Sequence, residues 1–269
     1  MAQRQVKVGA VTVGGPQLIL IAGPCAVESE EVAIKSAEAI VAVREKYGIP
    51  AIFKSSYKKA NRLSGQSFST IGMGKALSIL QDVKCKFHLP ILTDVHNTDE
   101  MDLAADIADC LQIPAFLCRQ SELVMSAGKT MLPINIKKGQ FLAPEDMKPI
   151  AEKVLSVGNQ QVMLTERGTS FGYRDLVVDY RGLVIMKSFG FPIIFDCTHS
   201  VQKPGASGGT SGGDRRFIEP LARAAVAVGV DAIFVETHPD PASALSDKDC
   251  QLPTGDLDAL VKSILEVRA

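Results

Sequence analysis

The sequence carries almost no net charge, because 29 lysines and arginines stand against 30 aspartates and glutamates. Without a positive field to gather a polyanion, nucleic acid is not an expected partner. Long apolar runs are missing as well. The longest, such as residues 18–22 and 224–230, fall far short of the roughly 20 residues a membrane helix needs, so no membrane partner is expected. The opening MAQRQVKVGAVTV lacks the apolar core of an export signal. The six cysteines form no CxxC pair, and a chain of 269 residues does not depend on disulfide staples, so the thiols are expected reduced and the protein cytoplasmic. Cys85, Cys110, Cys118, Cys197 and Cys250 are expected as small buried hydrophobes, with Cys25 set apart. Neither nucleotide signature is present: the turn after the first apolar run reads GPCAVES rather than GxGxxG, and no GK[ST] follows the glycines of KPGASGGTSGGDRR at 203–216.

What is there is an alternation. Eight short apolar runs end in polar residues: LILIAGPC 18–25, PAIFKSS 50–56, PILTDVH 90–96, CLQIPAF 110–116, LPINIKK 132–138, QVMLTER 161–167, PIIFDCTH 192–199 and DAIFVETH 231–238. Near-continuous hydrophobicity of this kind suits parallel strands covered on both faces. The runs start about 30 residues apart, the length of one βα unit. Helical periodicity fills the gaps, with Phe217, Leu221, Ala224, Ala225 and Val228 expected on one buried face and Leu257, Leu260, Val261, Ile264 and Leu265 on another. Asn97 with Glu100 resembles a capping pair, and Pro144 suits a first helical turn. Eight such units predict an α/β fold, a (β/α)8 TIM barrel forming one domain over 1–269. Residues 1–17 form an N-terminal extension in which VKVGAVTVGG at 6–15 is a short hairpin plugging the bottom.

In such a barrel the chemistry is built at the C-terminal strand ends. These ends supply Cys25, Lys54, Asp94, His96, Gln112, Lys137, Lys138, Glu166, Arg167, Asp196, His199, Glu236 and His238. Cys25, His199 and Glu236 close runs one, seven and eight, neighbours once the barrel shuts, and Asp247 follows soon after. A thiolate, an imidazole and two carboxylates form a mixed donor set suited to a divalent Zn, Fe or Mn ion. Eight cations (Lys54, Lys58, Lys59, Arg62, Arg119, Lys137, Lys138 and Arg167) follow runs two to six, which points to small phosphorylated substrates. The five-glycine segment 203–216 reads as a segment too flexible to pack, either a lid or a plain connection.

The motifs IAGPCAVES, FKSSYKKANR, TDVH, LQIPAFLCRQ, NIKKGQF, LTERGTSFGY, DCTHSVQ, SGGDRRF and FVETHPDPASALSD resemble the 3-deoxy-D-manno-octulosonate 8-phosphate synthases. The resemblance implies condensation of phosphoenolpyruvate with D-arabinose 5-phosphate and water. It implies that Lys137, Arg167 and the Ala115 backbone hold the enolpyruvate phosphate, with Lys54 and Lys59 near the carboxylate. Asn61 and Arg62 would meet the arabinose phosphate, Asp94 and Gln112 would orient the reacting groups, and Arg119 would reach a neighbouring site in a homotetramer. Lys59, Asn61, His199 and Asp247 are the implied catalytic set. Cysteine in GPC implies the metal-dependent branch, with Cys25, His199, Glu236 and Asp247 as ligands. Leu63 departs from the usual serine after KANR, and Lys58 from a common aspartate. Rival readings are the related heptulosonate synthases that use erythrose 4-phosphate, a metal-dependent or Schiff-base aldolase, and a non-catalytic scaffold.

Overall fold

The computed structural model describes residues 3–60, 67–173, 175–207 and 210–268. Each expected run is a strand: Ile19–Gly23, Ala51–Lys54, Ile91–Asp94, Cys110–Ile113, Ile134–Lys137, Val162–Glu166, Ile193–Asp196 and Ala232–His238. Each pairs in parallel with the next. The eighth pairs with the first, Glu236 beside Gly23, and this closes the barrel. One helix follows each strand, from Glu30–Tyr47 after the first to Leu257–Arg268 after the eighth. The fold is the expected (β/α)8 barrel.

Period two decides what each strand residue faces. Ile19, Ile21, Ile52, Leu92, Cys110, Met163, Ile194, Ala232 and Phe234 form one cluster inside the barrel. Their neighbours Leu20, Phe53, Ile91, Leu111, Leu164, Ile193, Phe195 and Ile233 pack outward with the helices. Continuing the inward parity by two residues reaches Lys54, Asp94, Gln112, Thr165, Asp196 and Glu236. The interior therefore changes from apolar to polar along the strands.

The hairpin is present as Val6–Val8 paired antiparallel with Val11–Val13. Its valines belong to the interior cluster, and Gly9 and Gly14 pack against Pro90 and Pro192, which precede strands three and seven. It therefore seals the N-terminal mouth.

Local signals are visible too. Ser29 caps the first helix by accepting from the Val32 N–H at 3.2 Å, and Gly48 ends it in the left-handed conformation. The Glu100 N–H donates to Asn97 Oδ1 at 2.9 Å, and Pro144 opens the turn leading into Met147–Ser156.

Three expectations need correction. The seventh helix, Ile218–Val228, buries Ile218, Ala222, Ala225 and Val226, while Phe217 and Val228 are exposed, so the face is rotated by about one residue. The glycine-rich segment, expected as unpacked, is paired in its described part: Gln202–Ser207 and Thr210–Gly213 form an antiparallel pair. A Cβ at Gly213 would strike the Cys250 sulfur, so glycine permits that contact. Cys85 is exposed on Met73–Phe87, whereas the other five cysteines are buried.

Candidate active site

Strands one, seven and eight bring Cys25, His199, Glu236 and Asp247 together, with one donor atom from each lying within 4.8 Å of the others. His199 Nε2 is 3.5 Å from Glu236 Oε2 and 3.9 Å from Asp247 Oδ2, and Cys25 Sγ is 3.2 Å from Asp247 Oδ2. The His199 Nδ1 edge faces Asp196 Oδ2 at 2.7 Å, which leaves Nε2 for the cluster. This is the arrangement in which a carboxylate orients a metal-binding imidazole.

Asp247 reaches the group from a tight turn, in which its own φ is +46° and the Cys250 N–H donates to its carbonyl at 2.9 Å. Gln251 ties that turn to strand one: its oxygen accepts from the Cys25 N–H at 3.0 Å and its amide donates to the Ser246 carbonyl at 2.7 Å.

Glu236 Oε2 is buried and accepts no hydrogen bond among the described residues. A buried carboxylate oxygen without a partner is costly, and a cation at the centre of these four donors would satisfy it. Burial, and then the charge of Glu236, push the Cys25 thiol well above its ordinary pKa, so without a cation it stays protonated.

His199 and Asp247 of the donor set line a cavity of about 510 Å³ whose wall also includes Lys54, Lys59, Lys137, Arg167, Asp94 and Gln112. Lys54 Nζ is 2.9 Å from Glu236 Oε1, and Lys59 Nζ lies 3.8 Å from Asp94 and 3.9 Å from Glu236. Burial opposes the Lys59 charge, but the surrounding carboxylates Glu236, Asp94 and Asp247 outweigh it and raise its pKa. Lys137 bonds Asp196 and lies 3.5 Å from the centroid of the Phe234 ring. Burial, aided by repulsion from Lys54, nevertheless lowers its pKa. Arg167 is buried, donates to Gln202 Oε1 at 3.0 Å, and leaves Nη1 without a hydrogen-bond partner among the described residues. An unmatched guanidinium nitrogen beside a cavity is a ready anion contact.

A buried chain of hydrogen bonds fixes the rest. Thr165 donates to Asn135 at 2.7 Å and Asn135 to Gln112 at 2.9 Å. Gln112 and Ser56 then both donate to Asp94. Burial would raise the Asp94 carboxyl, but Lys54, then Lys59, hold it well below the usual carboxylate range.

The eight expected cations do not all converge. Lys138 is one residue out of phase with Lys137, bonds Thr169 Oγ1 at 2.9 Å, and lies 3.5 Å from Glu166, itself of outward parity. Glu166 accepts from the Arg167 and Gly168 N–H groups and shapes their turn. Lys58 pairs with Glu100 at 2.8 Å. Arg119 is exposed and not part of the cavity wall. Asn61, Arg62 and Leu63 lie outside the described residues. His238 turns from the cavity to Glu28 at 3.4 Å, whereas His96 and the buried Ala115 line it. Sequence reasoning missed Gln202, Gln251 and Asn135 as parts of the site, and also Thr198, whose Oγ1 accepts from the Glu236 N–H at 3.1 Å. Amides and hydroxyls carry no charge signal, and only inward parity singles out Asn135.

A barrel whose closed end is apolar and whose C-terminal end concentrates acids, bases and metal donors defines an enzyme. The chain belongs to the DAHP synthetase I family, whose model matches residues 3–268. It is similar to proteins called 2-dehydro-3-deoxyphosphooctonate aldolase. The one from Trichlorobacter lovleyi is 50% identical over 97% of this chain and 96% of that protein. The one from Geobacter sulfurreducens is 47% identical over 99% and 98%. The one from Thiobacillus denitrificans is 51% identical over 94% and 90%. Among the described residues no helix is long and apolar enough to cross a membrane.

Proposed function

We propose that the chain condenses phosphoenolpyruvate with D-arabinose 5-phosphate and water, releasing 3-deoxy-D-manno-octulosonate 8-phosphate and inorganic phosphate. The observation that carries this reading is that the four-donor cluster, through His199 and Asp247, shares one cavity with buried Lys54, Lys59, Lys137 and Arg167. The names of the relatives support the choice of substrates.

Lys137, the open Nη1 of Arg167 and the Ala115 backbone hold the phosphate of phosphoenolpyruvate, while Lys54 and Lys59 face its carboxylate. Asn61 and Arg62 take the phosphate of the sugar, and Asp94 and Gln112 fix the reacting groups through their shared hydrogen bonds. C3 of the enolpyruvate attacks the aldehyde carbon, water adds at C2, and the C2–O bond to phosphate breaks. Lys59, held charged by surrounding carboxylates, donates a proton toward the new alkoxide or the departing phosphate. Cys25, His199, Glu236 and Asp247 would hold a divalent ion, which when bound polarises the aldehyde or a water molecule as a Lewis acid.

The rest of the reading is one barrel domain over 1–269, a cytoplasmic setting, and a homotetramer in which exposed Arg119 serves a neighbouring site.

The test is phosphate release from phosphoenolpyruvate with arabinose 5-phosphate or erythrose 4-phosphate, before and after chelation, with Mn(II) restored. Activity confined to arabinose 5-phosphate, lost on chelation and regained with metal, is the expected result. Preference for erythrose 4-phosphate moves the assignment to the heptulosonate reaction, and chelator-resistant turnover removes the metal from it. Schiff-base trapping by borohydride would instead establish an aldolase.

A further inference from the structure

Two side chains bridge the anion-binding wall and the donor cluster. Asp196 is fully buried, and its Oδ2 accepts both from Lys137 and, at 2.7 Å, from His199 Nδ1. Its Oδ1 is fixed by Thr198 Oγ1 at 3.1 Å and by the His199 N–H at 2.9 Å, so the carboxylate has no freedom to turn away. Gln202 makes the second bridge, with its oxygen accepting from Arg167 at 3.0 Å and its amide donating to Asp247 Oδ1 at 2.8 Å. Each bridge joins one cation of the cavity to one donor of the cluster.

We infer that Asp196, seconded by Gln202, couples occupancy of the phosphate pocket to metal affinity, so that each ligand tightens the other. This rests on the proposed metal and phosphate sites.

The sign follows from the shared oxygen. With the pocket empty, Lys137 neutralises Asp196. A phosphate dianion draws the ammonium toward itself, and the less compensated carboxylate then accepts more strongly from His199 Nδ1–H. Stronger acceptance makes Nε2 a better metal donor. In reverse, a cation on Nε2 polarises the ring toward Asp196 and loosens that carboxylate's hold on Lys137, freeing it for phosphate. Thermodynamic reciprocity requires both effects to have the same factor. Gln202 is neutral and transmits only a dipole, so its share is smaller.

Lys54 touches Glu236 directly, so the probe must carry phosphate without a carboxylate. Co(II) affinity, read from thiolate-to-cobalt absorption, is measured with and without saturating methyl phosphate, and methyl phosphate affinity with and without Co(II). The expected wild-type result is about tenfold mutual tightening, within the common range for coupled sites. Asp196→Asn should cut the factor to about twofold or less, and Gln202→Leu should give an intermediate value. A merely structural role would weaken both ligands and leave the factor intact, as would direct ligation of phosphate to the metal. Full coupling in folded Asp196→Asn therefore overturns the inference. If that variant does not fold, Gln202→Leu decides, and an unchanged factor there also overturns it. Failure of the wild type to bind Co(II) at all overturns the metal reading and the inference with it. Binding of both ligands without mutual effect overturns the coupling alone.

Discussion

The two ends of the barrel are made by the same eight strands and obey opposite rules. At the N-terminal mouth Val6, Val8, Val11 and Val13 sit on Ile19, Ile21 and Ile52 in an apolar plug. Two residues further along the same inward parity, Lys54, Asp94, Asp196 and Glu236 are equally buried. The plug gains stability from every methyl it buries. The polar end gains nothing of the kind: its four carboxylates and four cations must balance one another, and among the described residues they leave Glu236 Oε2 and Arg167 Nη1 unsatisfied. Such unmatched groups are tolerated where a ligand completes them. Stability is thus concentrated at one end and chemistry at the other, and substitutions should separate the two.

The largest separation is expected from Lys59→Met, which keeps the apolar stem and removes the charge. A proton donor of this kind contributes roughly 10²–10⁴ in rate, so kcat in the phosphate-release assay should fall about a thousandfold. The melting temperature should move by only a few degrees, because Lys54 still faces both Asp94 and Glu236. Near-normal turnover at saturating substrates would remove Lys59 from the chemistry.

Gly23→Ala tests whether the ends can be separated at all. Gly23 has a φ of +152°, and a Cβ there would run into the Lys54 carbonyl. The seam between strands one and two must open, displacing Cys25 and Lys54 together. We expect a loss of about 3 kcal/mol, the upper part of the range for overpacking, together with reduced kcat. Unchanged thermal unfolding and unchanged turnover would show that the seam adjusts freely.

The contrast between the ends also explains what the sequence made legible. Strand positions were readable because runs covered on both faces are hydrophobic throughout, and the Cys25, His199, Glu236 and Asp247 grouping was readable because barrel closure makes strands one and eight neighbours. The cation cluster was overread. Lys137 and Lys138 look equivalent at a run end, yet period two sends one to the cavity and the other to Glu166 and Thr169. Period two counted along the same run from Asn135, the polar residue between Ile134 and Ile136, puts Lys137 on its face and Lys138 on the other. The seventh helix misled for a different reason. Its apolar residues exceed what one face holds, so Phe217 and Val228 are left in solvent.

At the apolar end, Val13→Ala removes two methyls from a fully buried position without touching any charge. The expected cost is about 2 kcal/mol, combining lost transfer energy with the cavity left behind. That corresponds to a drop of roughly 4–8 °C in melting temperature. Turnover and metal affinity should stay at wild-type values, because the hairpin touches the opposite mouth. A fall in kcat larger than twofold at a temperature where the variant is folded would show that the plug transmits its packing along the strands.

The smallest effect should come from a bond that belongs to neither end. Lys46, on the first helix, reaches Asp258 on the last at 2.7 Å and 2.9 Å. It joins the helices that flank the barrel's closing seam, and by geometry alone it resembles a clasp. Both side chains are about half exposed, however, at 58% and 46%, so water already screens the pair and ordering the lysine stem offsets much of the attraction. The seam is held instead by the strand-eight to strand-one ladder and by the buried Leu257, Leu260, Val261 and Ile264 of the last helix. Lys46→Ala should therefore leave the melting temperature within about a degree of wild type, in low salt as in high. A larger drop that vanishes as salt is added would make this surface pair part of the closure and give the barrel a third stabilising region besides its two ends.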